Sequence, residues 1–181
     1  MMKKLSVVCL FMLCAYGSLA QSYADYDIIE PESKMNIGLG LGLDYGGIGG
    51  RITFLPIKRL AVFVSLGYAI VDLGYNVGAQ LRITPGNRIC PSIGLMYGYN
   101  GVIKVQNAPE YDKIYYGTSA SIGLEIHFKG KPNYLNVEIV VPFRPESFYD
   151  DWDKVKQLSN FSTQSEPLPI AISVGYHFAF K

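Results

Sequence analysis

The sequence predicts an all-β chain, an eight-stranded antiparallel up-and-down transmembrane β-barrel that leaves room for a short helix in its last external loop. Three observations carry this expectation. Residues 169–180 alternate, with Ile170, Ile172, Val174, Tyr176, Phe178 and Phe180 on one face and Ala171, Ser173, Gly175, His177 and Ala179 on the other, as the two-residue period of a strand requires. Seven earlier segments repeat the pattern, most of them near the roughly 9 to 11 residues that a tilted strand needs to cross a bilayer. The connections between them alternate between short and long, as the two ends of a membrane barrel do.

Taken in order, residues 1–20 read as a secretory signal. Lys3 and Lys4 form a basic start, residues 5–16 an apolar stretch and Ser18-Leu19-Ala20 a small-x-small cleavage site. The apolar stretch falls short of the roughly 20 residues of a spanning helix. Residues 21–33 form a polar arm, expected in the periplasm, and residues 34–181 the barrel domain. Cys9 and Cys14 fall in the signal and neither follows a lipoprotein pattern, so Cys90 is left alone and no intrachain disulfide is expected. Export without a lipid anchor or a second apolar helix leaves the periplasm or the outer membrane of a Gram-negative cell envelope. A formal net charge of +1 with 17% charged residues gives no electrostatic reason to expect a nucleic-acid partner.

The first segment, residues 35–45, places every large side chain on one face and Gly38, Gly40 and Gly42 on the other. Glycine at that density disfavours a helix, whereas a crowded barrel interior uses it. The next segments are 48–55, 60–70, 75–84, 88–100, 114–128, 134–143 and 168–180. One face of this set, with Val64, Leu66, Val77, Leu95, Ile122 and Ile139 among its members, carries no charge. The other holds Ser65, Asn76, Gln80, Ser92, Ser119, Ser121, Asn136 and many glycines, with no lysine. A soluble barrel reverses this polarity and studs its outer face with Lys and Glu. The apolar face therefore points to lipid and the small polar one to the interior. Leu95→Arg is expected to be costly and Gly94→Ser, on the opposite face, milder. The turns 56–59, 85–87 and 129–133 are short; 46–47, 71–74, 101–113 and 144–167 are more variable and fall outside.

These features resemble the small outer-membrane β-barrel superfamily, of the OmpA-transmembrane or OmpX-like kind often labelled porin-family. Members end in a signal of the form polar-x-Gly-x-x-aromatic-x-aromatic, matched here by Ser173, Gly175, Phe178 and Phe180, although Lys181 follows the last aromatic. The resemblance implies recognition by the barrel-assembly machinery and a final setting among outer-membrane lipid and lipopolysaccharide.

An eight-stranded barrel is narrow enough for side chains to fill. The inward ionisable groups are Asp44, Arg51, Arg82, Glu125, His127, Glu138 and His177, and buried charges need partners. A closed periplasmic-side plug of Arg82, Glu125, His127, Glu138 and His177 is expected, with His177 beside Glu138 by register and Arg82 reaching from across the barrel. Some relatives of this architecture are lipid A acyltransferases, deacylases or proteases. Here no Ser-His-Asp arrangement stands at the external ends, no cluster has metal-ligand spacing, and Gly38-x-Gly40-x-Gly42 opens no helix. No catalysis, cofactor or metal is expected. The leading role is structural or surface-interacting, ahead of a narrow channel or small-ligand binder and of a lipid-modifying enzyme.

The most function-like segment is the loop 144–167. Ser147-Phe148-Tyr149-Asp150 has the form of a capping box, after which Phe148, Trp152, Val155 and Leu158 or Phe161 share one helical face. Such a helix either packs over the barrel mouth or forms a lid, a lipopolysaccharide contact or a partner-binding surface.

Overall fold

The structure, a computed structural model, describes residues 33–105, 112–157 and 167–180. The signal 1–20, nearly all of the arm, Leu158, Phe161 and Lys181 lie outside the described residues. Eight strands close one antiparallel sheet in chain order: β1 Met35–Gly42, β2 Gly47–Ile57, β3 Leu60–Tyr68, β4 Leu73–Arg82, β5 Ile89–Ile103, β6 Lys113–His127, β7 Tyr134–Phe143 and β8 Ala171–Phe180. The barrel closes where β8 returns to β1, Met35 opposite Phe180 and Gly38 opposite His177. A helix, α1 (Glu146–Gln157), follows β7.

Polarity in the barrel is inverted relative to a water-soluble domain. Ser65, Asn76, Gln80, Ser92, Ser119 and Asn136 are buried, while Leu66, Leu95 and Ile122 on the other face are 60%, 62% and 69% exposed. The cause is the strict alternation of the strands, which sorts each segment into two faces, and closure, which buries one of them completely. Interior bulk is greater than the small-residue pattern suggests, because Phe63, Met96 and Val140 also point inward and pack with Leu43.

Residues 43–45 depart from the sequence expectation. Alternation carries Leu43 and Tyr45 to the outer face, but β1 stops at Gly42, whose φ of 131° is a conformation open to glycine and costly for other residues. A single 3-10 turn, Leu43–Tyr45, follows and is capped by Gly46 in the left-handed region. It folds into the barrel, where Leu43, Asp44 and Tyr45 are all buried. Its backbone is held by Ser65 Oγ donating to the Asp44 carbonyl at 2.6 Å and Asn76 Nδ2 donating to the Leu43 carbonyl at 2.8 Å.

Connections at the end where β1 begins are residues 58–59, 83–88 and 128–133, and those at the other end include the long 104–112 and 144–170. Pro56, expected in the first turn, instead sits inside β2 at an irregularity between Phe54 and Ile57, which suits a residue with no N–H to give the ladder. At the long-loop end β5 and β6 have 15 residues each, against 8 to 11 in the other strands. Their hairpin therefore rises above the rest of the rim, with a bulge between Tyr99 and Gly101.

Helix α1 docks on that hairpin. Phe148 is buried with Ile103, Val105 and Tyr115, and Trp152 and Val155 pack against the same cluster. The face expected from the sequence is thus the packed one for its described members. Ser147 is not the cap, since the helix already includes Glu146. Across the helix, Asp151 accepts from Lys113 Nζ at 2.7 Å, Tyr115 Oη at 2.8 Å and Lys154 Nζ at 2.9 Å. These bonds, that from Lys113 foremost, hold the Asp151 carboxyl well below the usual carboxylate range.

Candidate functional site

Two regions gather chemistry-bearing side chains: the polar column inside the barrel and the basin at its long-loop mouth. The column is built around Arg51, which β2 points inward and which is 1% exposed. Its Nη1 donates to Asp44 Oδ2 at 2.8 Å and to Glu138 Oε1 at 2.9 Å, and its Nη2 donates to Gln80 Oε1. The guanidinium lies 3.7 Å from the centre of the Phe63 ring, a cation–π contact strengthened by exclusion of water. Gln80 and Asn136 also donate to Glu138 Oε1. One cation thus joins the inward turn (Asp44) to the far wall (Glu138).

Nearer the short-turn end, Arg82 holds Glu125 through Nε at 3.0 and 2.9 Å and through Nη2 at 2.7 Å. His127 Nε2 lies 3.3 Å from Glu125 Oε2, and Arg82 Nη1 donates to the Lys58 carbonyl at 3.0 Å. A third group centres on His177. Asn36 Oδ1 accepts from Tyr134 Oη at 3.1 Å and lies 2.8 Å from His177 Nδ1, while Tyr45 Oη is 2.6 Å from His177 Nε2. Asn36 Oδ1 can only accept, so His177 Nδ1 donates to it and Nε2 pairs with the Tyr45 hydroxyl. Tyr134 stacks on the His177 ring at 4.6 Å and 7°.

The five residues expected to form one plug are therefore divided. Arg82, Glu125 and His127 come together. Glu138 is paired with Arg51 instead, and His177 meets Asn36, Tyr45 and Tyr134. Register is the reason: β7–β8 pairing sets Glu138 opposite Ser173 and His177 opposite Tyr134, four residues along the strand. Nor does Arg82 reach from across the barrel, because β4 and β6 flank β5 and the side chain spans that single strand. The residues that sequence reasoning passed over are Tyr45 and the pairing role of Arg51. The signal available was Gly46-Gly47 directly after Tyr45, a doublet that permits a tight inward turn.

Interior glycines acquire a specific purpose here. A Cβ at Gly175 would overlap the Tyr45 hydroxyl, one at Gly40 would lie 2.7 Å from the Tyr45 ring, and one at Gly38 would lie 2.5 Å from the His177 ring. Gly175 thus seats Tyr45 in addition to its place in the terminal motif. Gly175→Ala should cost about 1 to 3 kcal/mol by overpacking, and Tyr45→Ala in the same chain should recover part of that loss in urea titrations of the folded barrel. Equal losses in both backgrounds would show that Gly175 acts through something other than Tyr45.

A gap of about 20 Å³ beside Asn36, Arg82, Glu125 and Tyr134 at the short-turn end has room for about one water. No three His, Cys, Asp or Glu side chains among the described residues are grouped to hold a metal. Of the terminal-motif residues, Ser173 is buried, whereas Phe178 and Phe180 are turned outward and half exposed. The basin at the other mouth is larger, about 590 Å³, between the rim and the packed face of α1.

No family model matches the chain, and no curated protein matches it. Among solved structures it is similar to the N-terminal β-barrel domain of Pseudomonas aeruginosa OprF, with a TM-score of 0.45 and 13% sequence identity over 81% of this chain and 98% of that one.

Proposed function

We propose that the protein is an integral outer-membrane barrel with a structural or surface-interaction role, a plugged interior that does not conduct, and no catalysis of its own. The observation that carries this reading is the inverted polarity: Arg51, Glu138 and His177 are at most 1% exposed while Leu66, Leu95 and Ile122 face outward. In water that exterior is an aggregation surface far beyond the patch size of soluble monomers; in a bilayer it is the ordinary exterior of a membrane barrel. The half-exposed Phe178 and Phe180 support presentation of the last strand to the barrel-assembly machinery, and lipid and lipopolysaccharide then surround the finished barrel. What the barrel holds out beyond the membrane is the raised β5–β6 hairpin with α1 packed on it.

Cell fractionation and unboiled gels test the setting. The protein should appear in the outer-membrane fraction with a heat-modifiable shift; recovery as a soluble periplasmic monomer would refute it. Planar-bilayer recordings test the plug. The unmodified protein should give negligible conductance, and large stable steps would favour a channel instead.

A further inference from the structure

The rim of the barrel is uneven at the long-loop end. β1 stops at Gly42, β2 starts at Gly47 and β8 starts at Ala171, while β5 and β6 continue to Ile103 and Lys113. The basin of about 590 Å³ lies over the low side. Its floor includes Leu43 and Tyr99, and Phe148 and Trp152 of α1 line it from above. Its wall also includes Leu41, Ile48 and Ile172, which are 60%, 74% and 65% exposed and belong to the apolar outer surface. The cavity therefore runs from the barrel axis over the low rim onto the surface that meets lipid. Its size is that of a small-molecule site.

Polar atoms in this wall are unsatisfied in a consistent way. Arg144 Nε, Trp152 Nε1 and Asn100 Oδ1 are buried and make no hydrogen bond, and all three residues line the same cavity. Arg144 donates Nη1 to the Leu168 carbonyl at 2.8 Å and lies 5.1 Å from the Phe148 ring, with no carboxylate partner among the described residues. Asn100 is fully buried and spends Nδ2 on the Thr118 carbonyl at 2.8 Å and Ser119 Oγ at 2.9 Å, which leaves its Oδ1 without a donor. Buried polar atoms are normally satisfied, and an unpaired guanidinium over an apolar trough calls for an anion attached to an apolar body.

We propose that this cavity binds a long-chain fatty acid, with its carboxylate between Arg144 and the Trp152 indole N–H and its alkyl chain lying over the low rim toward Leu41, Ile48 and Ile172. Arg144 Nε–H and Trp152 Nε1–H donate to the carboxylate. The route over the rim rests on the membrane setting proposed above; the head-group site does not.

Trp152 is the single tryptophan of the chain, so its fluorescence reports on the cavity directly. Full-length protein in lipid nanodiscs is titrated with 9,10-dibromostearate, whose bromines quench at contact, and with its methyl ester, which partitions into lipid without the charge. Saturable quenching by the acid, at least tenfold weaker for the ester and for Arg144→Gln, is the expected result. Ala171→Phe, which fills the floor, should abolish the saturable phase while the heat-modifiable shift is retained. Equal quenching by acid and ester, indifferent to Arg144→Gln, would mean simple partition into the bilayer and overturn the site. Quenching from brominated phosphatidylglycerol built into the disc, with the free acid inert, would make the occupant a bilayer lipid and overturn the free-acid assignment. Absence of any saturable quenching in a protein that is heat-modifiable and disc-embedded refutes the cavity alone; failure to embed refutes the membrane setting.

Discussion

Arg51→Met should destabilise the folded barrel by roughly 3 to 5 kcal/mol, the cost of removing one partner from a buried charge network. Among the described residues Arg51 is the one cation bonded to both Asp44 and Glu138, and both carboxylates are at most 1% exposed. Methionine keeps the volume and the contact with Phe63 but leaves two buried acids without a cation, Glu138 keeping the Gln80 and Asn136 amide donors. The sign can be checked by neutralising what is stranded: Asp44→Asn with Glu138→Gln in the Arg51→Met chain should recover most of the loss, because an apolar or neutral replacement of a whole buried ion network is often tolerated. Urea unfolding of the reconstituted protein, followed by the heat-modifiable shift, measures each step. A loss under about 1 kcal/mol for Arg51→Met would mean that Asp44 and Glu138 are not both charged.

That network also marks where sequence reading stops. The two faces were legible because closure into a barrel needs only parity: Ser65, Asn76 and Asn136 fall inside and Leu66, Val77 and Val137 outside whatever the stagger of the strands. Pairing inside the barrel depends on the stagger, which alternation leaves free. His177 was expected beside Glu138, yet four residues separate their partners on the β7–β8 ladder. The inward turn was illegible for a different reason. Leu43 and Tyr45 continue the pattern of Leu39 and Leu41 without a break in hydropathy, and only the backbone at Gly42 and Gly46 diverts them. Once Tyr45 is inside, the glycines at 40 and 175 become steric requirements, as Gly38 is for the His177 ring. For α1, periodicity gave the packed face of Phe148, Trp152 and Val155, but the surface it covers belongs to a hairpin whose length beyond Asn100 had no signal of its own.

Leu95→Arg carries the second large expected effect and decides what surrounds the barrel. Leu95 lies within β5, between Ala79 of β4 and Ala120 of β6, and is 62% exposed. In water, arginine at so exposed a position changes stability by no more than about 0.5 kcal/mol. Facing hydrocarbon near the midplane it costs roughly 2 to 4 kcal/mol, since no solvent or partner compensates the desolvated charge. Gly94→Ser on the opposite face is not the mild control that alternation suggests, because a Cβ there would lie 2.5 Å from Ser121 Oγ and 3.0 Å from Gln80 Cγ. Tyr149 is the better comparison, being 49% exposed on α1 beyond the strands. In reversible unfolding from lipid bilayers, Leu95→Arg should lose the full amount and Tyr149→Arg less than about 0.5 kcal/mol. If both substitutions prove equally harmless, the exposed belt does not meet lipid and the membrane setting falls, because the same added charge at similar exposure separates the two sites only when their solvents differ.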